Sequence, residues 1–485
     1  MHLFLILCAF GSNVAALAGG RSPELRVMTS SGYLNGIYND SAHTVRAFIG
    51  IPYAESPVQE LRWAPPHPKS LARTPIDASS FRSPCPQVYT YSNESIWSVL
   101  PCKIWNSGDT SEDCLYMNIW APSIKHRSYR GLHKGAVMMF IHGGSYSSGG
   151  SSVAYYDGTN LVQNHDVIVV TFNYRLNVFG FPNAPGIDPS KQNLGLLDQV
   201  DLERRLAIEW VRNNIARFGG DPNRILFGQS AGASSADVHA YAYPENPLVS
   251  AFALHSGTAP LLATAPNHKN WNELPTALGC AGGQSLQCMS QVPTMKILEA
   301  MAQGSNNFYP IIDNLLVFSD YAARAKMGKL ARLPTLAGIN EREVSAIVPL
   351  SFTSVNETAI YEIRLNEHVP TWRYLYHGNF TNLSPTPWLG AYHGAEIPIV
   401  FGTYNRSMTI PSSAREIEVS QYMQGAWVTF ARNHWTGLSR YVWSRFSFDE
   451  PTLINLALNN SVQAIFTSAN SWDSYCESHI TRSEL

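Results

Sequence analysis

The sequence predicts an α/β fold in which helices flank one central, mostly parallel sheet. Three observations predict it: short, continuously apolar runs, helical periodicity between them, and no linker that would divide the chain. The runs lie at 136–141 before His142-Gly143-Gly144, at 167–172 before Asn173, and at 225–227 before Gly228. Continuous apolarity, in place of alternation, suits a strand whose sheet is covered on both faces. Within 201–218, Leu202, Leu206, Trp210 and Ile215 recur at roughly helical spacing, and Gly219-Gly220 supplies the stop. Strands alternating with helices are the pattern of one parallel sheet wound from both sides. No internal repeat, low-complexity stretch or charge block interrupts it, so 19–485 reads as a single domain.

Composition narrows the function classes. The 485 residues carry 34 Lys+Arg against 36 Asp+Glu, a formal charge of -2 that lacks the electrostatic footprint of a nucleic-acid binder. Hydrophobic residues make up 45% and support a large core, while charged residues make up only 14% where about a quarter is usual. Uncharged polar groups or added glycans must then supply part of the surface polarity.

The N-terminus explains where such glycans would come from. An apolar stretch at 3–10 leads to Ala16-Leu17-Ala18 before Gly19, a secretory leader over 1–18 with an A-x-A cleavage site. The stretch is too short to span a membrane, and no other segment offers an uninterrupted apolar 18-mer. The expected product is secreted and extracellular. Cleavage leaves six cysteines, Cys85, Cys102, Cys114, Cys280, Cys288 and Cys476, an even number that reads as disulfides in an oxidising compartment. No spacing suggests a zinc site, so no metal is expected. Glycosylation sequons begin at Asn39, Asn93, Asn356, Asn379, Asn382, Asn405 and Asn459.

One motif carries chemistry directly, Gly228-Gln229-Ser230-Ala231-Gly232, between the run at 225–227 and the small-residue segment 231–238. A sharp strand-to-helix turn holds the serine hydroxyl proud of the sheet, with free N–H groups at the following helix start. Upstream, His142-Gly143-Gly144-Ser145-Tyr146 follows a strand-like run, as a loop of backbone donors for a tetrahedral oxyanion would. The two motifs in this order favour an α/β-hydrolase fold. In that fold the acid follows the serine and the histidine comes last. The order leaves His239, His255, His268, His368, His377, His393, His434 and His479. Among them His393, in Gly390-Ala391-Tyr392-His393-Gly394, sits in a tight loop from which a ring can project. For the acid, Glu341 and Glu343 both follow the strand-like 334–339, and spacing does not choose between them.

Longer signatures surround these motifs. Glu112-Asp113-Cys114-Leu115-Tyr116-Met117-Asn118-Ile119-Trp120 and the stretch from Phe218-Gly219-Gly220-Asp221-Pro222 to Gly232 resemble the two signatures of the type-B carboxylesterase/cholinesterase family. Further matches run from Gly50-Ile51-Pro52-Tyr53-Ala54 to Gly394-Ala395-Glu396-Ile397-Pro398 and cover nearly all of the mature chain. The resemblance implies an α/β-hydrolase fold and an ester hydrolase without cofactor, acting on a small-molecule ester. It names Ser230 as nucleophile and His393 as base. Through Gly338 and Asn340 it places the acid at Glu343, and it assigns the oxyanion N–H groups to Gly144, Ser145 and Ala231. It also implies ion pairs Arg62–Glu112 and Arg175–Asp198 and disulfides Cys85–Cys114 and Cys280–Cys288, with Cys102 and Cys476 left over.

The chain departs from the family pattern at several points. Ser145 replaces the third glycine of the oxyanion loop, and Val344 follows the acid in place of glycine. Gln229 stands where cholinesterases carry a glutamate, and Trp105-Asn106 is similar to their choline-binding tryptophan region. The segment from Glu343 to His393 is short. A lipase or a choline esterase is the alternative within enzymes. A catalytically silent adhesion or ligand-binding homologue is disfavoured because every triad position is filled.

Overall fold

The computed structural model describes residues 22–88, 110–126, 134–199, 206–259, 264–304, 307–347, 370–386, 388–406, 410–447, 449–469 and 472. The expected leader, Asn93, Cys102, Trp105, Asn106, Asn356 and Cys476 lie outside the described residues.

A small sheet near the N-terminus joins β1 (Arg26–Thr29) and β2 (Gly32–Asn35) to β5 (Ile76–Asp77). The large sheet takes β3 (Ile37–Tyr38), β4 (Val45–Pro52), β6 (Tyr116–Pro122), β7 (Val137–Ile141), β8 (Ile168–Phe172), β9 (Ile225–Gln229), β10 (Ala251–His255), β11 (Thr335–Asn340), β12 (Thr371–Tyr376), β13 (Leu453–Leu456) and β14 (Ile465–Thr467). Its order is β14-β13-β12-β11-β10-β9-β7-β8-β6-β4-β3. The seven strands from β8 through β7 and β9 to β13 pair in parallel, and the outer strands at both edges pair antiparallel. This is the mostly parallel sheet of the α/β-hydrolase fold.

The continuous apolar runs are explained by what the two faces bury. Along β7, Val137, Met139 and Ile141 point into one core, while Met138 and Phe140 point into a second core on the opposite face. Every residue of β7, β8, β9 and β10 is buried, so alternation has no solvent face to report. Of the helix expected over 201–218, the described part is Leu206–Asn214, continued by a 3₁₀ turn at Ile215–Phe218. It stops where expected: Gly219 takes φ +95° and its N–H caps the carbonyls of Ala216 and Ile215.

Both implied disulfides, Cys85–Cys114 and Cys280–Cys288, are formed. Arg62 makes a two-pronged bond to Glu112, at 2.7 Å on each arm, and donates to the carbonyls of Met289 and Val292 beside Cys288. Arg175 pairs with Asp198 at 2.7 Å with both side chains buried. Truncating either partner of such a pair would strand a buried charge, which typically costs about 3–5 kcal/mol. Among the described residues, no helix is long and apolar enough to cross a membrane.

Candidate active site

The strand ends of β9, β10 and β11 and the loop carrying His393 converge at one edge of the parallel sheet. Ser230 follows β9 directly and caps the helix Ala231–Ala242. Its backbone takes φ +56° and ψ -123°, a conformation that costs an ordinary L-residue of order 1–3 kcal/mol and is held only when the surroundings enforce it. The enforcement is visible. The Ser230 N–H donates to the carbonyl of His255 at 2.8 Å. A Cβ on Gly228 would lie 2.3 Å from the backbone of Gly232, and one on Gly232 would lie 2.0 Å from the carbonyl oxygen of Ile141. Strand, turn and helix therefore touch backbone to backbone, which only glycine at both flanks permits.

The loop His142–Ser148 runs alongside. Ser147 and Ser148 each donate their N–H to the carbonyl of Gly144 at 3.0 Å, which curls the loop around Gly144. Ser145 and Tyr146 both sit in the left-handed region, at φ +53° and +56°. At position 145 that conformation suits the glycine usual in the family, and the serine adopts it with its side chain exposed. Behind the loop, Gln87 clamps Gly149 with a donor and an acceptor, at 2.9 and 2.8 Å. The same Gln87 amide donates to the carbonyl of Cys85 at 2.9 Å, which links the loop to the Cys85–Cys114 bridge. Burial pushes the His142 ring down to about 4, which keeps it neutral, and it stacks on Tyr174 at 4.4 Å between centroids.

Glu343 and His393 meet through Oε2 and Nδ1. Asn340, the last residue of β11, donates its N–H to Oε1 of Glu343 at 2.7 Å and fixes the carboxylate. Burial pushes the Glu343 carboxyl up, but the neighbouring His393 and these hydrogen bonds outweigh it and hold the group below its usual range. Burial pushes His393 down, and the charge and hydrogen bond of Glu343, aided by the charge of Glu396, reverse this and raise it. The remaining ring nitrogen, Nε2, lies 3.0 Å from the side-chain amide nitrogen of Gln229, the residue before Ser230. Glu341 turns elsewhere, toward Nδ1 of His377 at 3.1 Å.

The sequence reading passed over a third pair. His255 and Glu396 are fully buried, Nδ1 to Oε1 at 3.2 Å, and Trp427 donates its indole N–H to Nε2 of His255 at 2.8 Å. Asn340 donates its side-chain amide both to Oε2 of Glu396 and to the carbonyl of Tyr392, at 2.5 and 2.6 Å. This cluster ties the residue beside His393, the strand of the acid and the carbonyl that receives the Ser230 N–H. Its sequence signal is the glutamate within Gly394-Ala395-Glu396, just past His393.

Among the described residues, no group of three or more His, Cys, Asp or Glu could hold a metal ion. Of the sequons, Asn379, Asn405 and Asn459 are exposed and Asn39 is half-buried. Asn382 is buried, and its amide nitrogen donates to Oε1 of Glu416 at 2.9 Å.

The site thus combines a strained serine on a strand-to-helix turn, a carboxylate-bound imidazole and a backbone-rich loop. The chain matches the Carboxylesterase family over residues 23–369 and 352–472, and it belongs to that family. It is a carboxylic ester hydrolase. It is 36% identical to a chlorogenic acid esterase of Aspergillus niger, over 97% of each chain. It is 35% identical to secreted lipase 5 of Gibberella zeae, over 96% of this chain and 97% of that one. It is 32% identical to an acetylcholinesterase of Electrophorus electricus over 67% of this chain and 52% of that one.

Proposed function

We propose that the protein is a secreted, single-domain serine esterase that cleaves uncharged carboxylic esters through an acyl-enzyme. The observation that carries the reading is the carboxylate–imidazole contact of Glu343 with Nδ1 of His393, made where Nε2 reaches the residue before Ser230. A carboxylate only accepts, so Nδ1 carries the proton and Nε2 keeps the lone pair that a base requires. Ser230 Oγ attacks the ester carbonyl while Nε2 takes its proton, and the Glu343 carboxylate stabilises the imidazolium that forms. The oxyanion develops against the N–H groups of Gly144, Ser145 and Ala231, the last at a helix start. His393 then protonates the leaving alcohol, and water repeats the sequence on the acyl group.

Two features support the substrate class and compartment. Gln229 offers a neutral amide where a carboxylate would draw a cation, which favours uncharged esters over choline esters. Two disulfides suit an oxidising, extracellular compartment and a leader removed after Ala18. Ser230→Ala should abolish hydrolysis of p-nitrophenyl acetate with thermal unfolding unchanged; a variant that keeps most of its activity overturns the reading. N-terminal sequencing of the exported protein checks the leader, with Gly19 expected first.

A further inference from the structure

We propose that Gln229 is a positioning residue for the base. Its side-chain amide donates to Nε2 of His393 and holds the resting ring with that lone pair facing the nucleophile turn. The proposal rests on reading His393 as the general base.

The geometry leaves little freedom in how this contact is made. Glu343 occupies Nδ1, so the neutral ring presents only a lone pair at Nε2, and whatever meets it there must donate. Gln229 meets it with its amide nitrogen at 3.0 Å. The amide oxygen points toward the oxyanion loop, where a Cβ on Gly143 would lie 2.6 Å from it, so only glycine there leaves room for the glutamine. The glutamine thus spans from the oxyanion loop to the base, with nitrogen toward the ring and oxygen toward the loop. Its own backbone is held as the last residue of β9, paired with His255, and the residue is buried. A buried side chain anchored in a central strand has few other places to go.

The contact discriminates between the two states of the base. It favours the neutral ring, whose Nε2 accepts, and disfavours the imidazolium, whose Nε2–H would oppose another donor. The charges that act on the ring, Glu343 and Glu396, work the other way and favour the imidazolium. Gln229 therefore offsets two carboxylates and keeps the base unprotonated at lower pH than they alone would allow. In the catalytic cycle the amide yields Nε2 to the Ser230 proton, and the bond re-forms when that proton leaves with the alcohol.

The test is the pH dependence of kcat/KM for p-nitrophenyl acetate with the full chain, Gln229→Met and Gln229→Glu. Gln229→Met, of similar length but without the donor, should move the acid limb up by roughly half to one pH unit. Gln229→Glu should move it further, since a carboxylate there accepts from the imidazolium. An acid limb that stays in place in Gln229→Met overturns the proposal, whatever Gln229→Glu does. A second measurement does not depend on those variants folding: ¹⁵N NMR of Ser230→Ala, in which the serine hydroxyl cannot be the donor. There the His393 Nε2 signal at pH 8 should be that of an unprotonated nitrogen accepting a hydrogen bond. A free or protonated Nε2 overturns the assignment. Failure of the underlying reading shows separately, in wild-type labelling by a fluorophosphonate that His393→Ala does not slow.

Discussion

Glu341 and Glu343 lie two residues apart just past the end of β11, and each faces the Nδ1 of a histidine, His377 for the first and His393 for the second. The rings differ at the opposite nitrogen. Nε2 of His377 lies 2.9 Å from Oδ1 of Asn455, whose amide nitrogen is already committed to the carbonyls of Leu453 and Ile465 and to Thr467 Oγ1. That oxygen can only accept, so His377 must give its Nε2 proton away. Nε2 of His393 meets a donor, Gln229, beside the serine turn. The same two residue types thus build a structural tie in one place and a proposed base in the other. What a Glu–His pair can do is decided by the third partner, on the far side of the ring.

The largest expected effect separates the two rings. His393→Ala should lower kcat for p-nitrophenyl acetate by roughly 10⁴–10⁶-fold. His377→Ala should leave kcat within about threefold while costing about 1–3 kcal/mol in denaturant unfolding, because Asn455 and Glu341 lose a buried partner. Equal loss of activity in both would dissolve the distinction. Next come the carboxylates: Glu343→Gln should cost roughly 10²–10⁴-fold in kcat and Glu341→Gln less than about threefold. The reverse order would mean that the acid had been misassigned.

A smaller effect concerns pH. Glu343 and Glu396 raise His393, and a raised base stays protonated to higher pH. The acid-side half-maximum of kcat/KM should therefore lie above the ordinary imidazole value of about 6.5. Glu343→Gln, by removing the charge, should move it down in whatever activity remains, whereas Glu341→Gln should leave it in place. A profile flat from pH 5 to 8 would contradict both statements. The smallest effect spares both pairs. Ser145→Gly relieves a left-handed serine and should raise unfolding stability by about 0.5–1 kcal/mol, after the entropy glycine adds to the unfolded chain. Unchanged or lower stability would show that the exposed serine makes contacts that compensate its strain.

Much of this was legible in the residues, and the limits have physical causes. Continuous apolar runs marked β7, β8 and β9 because both faces of the sheet are covered. The Ser230 turn was legible because close backbone approach demands Gly228 and Gly232 at set positions. His393 could be singled out by its flanking glycine. The choice between Glu341 and Glu343 lay beyond local pattern, since both follow one strand and their partners arrive from chain 36 and 50 residues away, His377 past β12 and His393 past it again. The resemblance to a family supplied that choice. The directions of Gln229 and His255 were hidden for a related reason: they depend on strand register and on which side chains cross from neighbouring strands. Asn382 shows the same limit at a sequon, whose short pattern names the residue and says nothing of its burial against Glu416.

The separation along the chain has a consequence for synthesis. Gln229 and His393 touch across 164 residues of sequence. At roughly 5–20 residues per second, a ribosome that has made the proposed nucleophile needs about ten to thirty seconds more to make its base. Through that interval the strained serine turn has no proton acceptor, and its sheet gains β11 and then β12 only in the later part. The emerging enzyme would therefore be chemically silent through most of its own translation, and would become active only once the last third of the chain had docked.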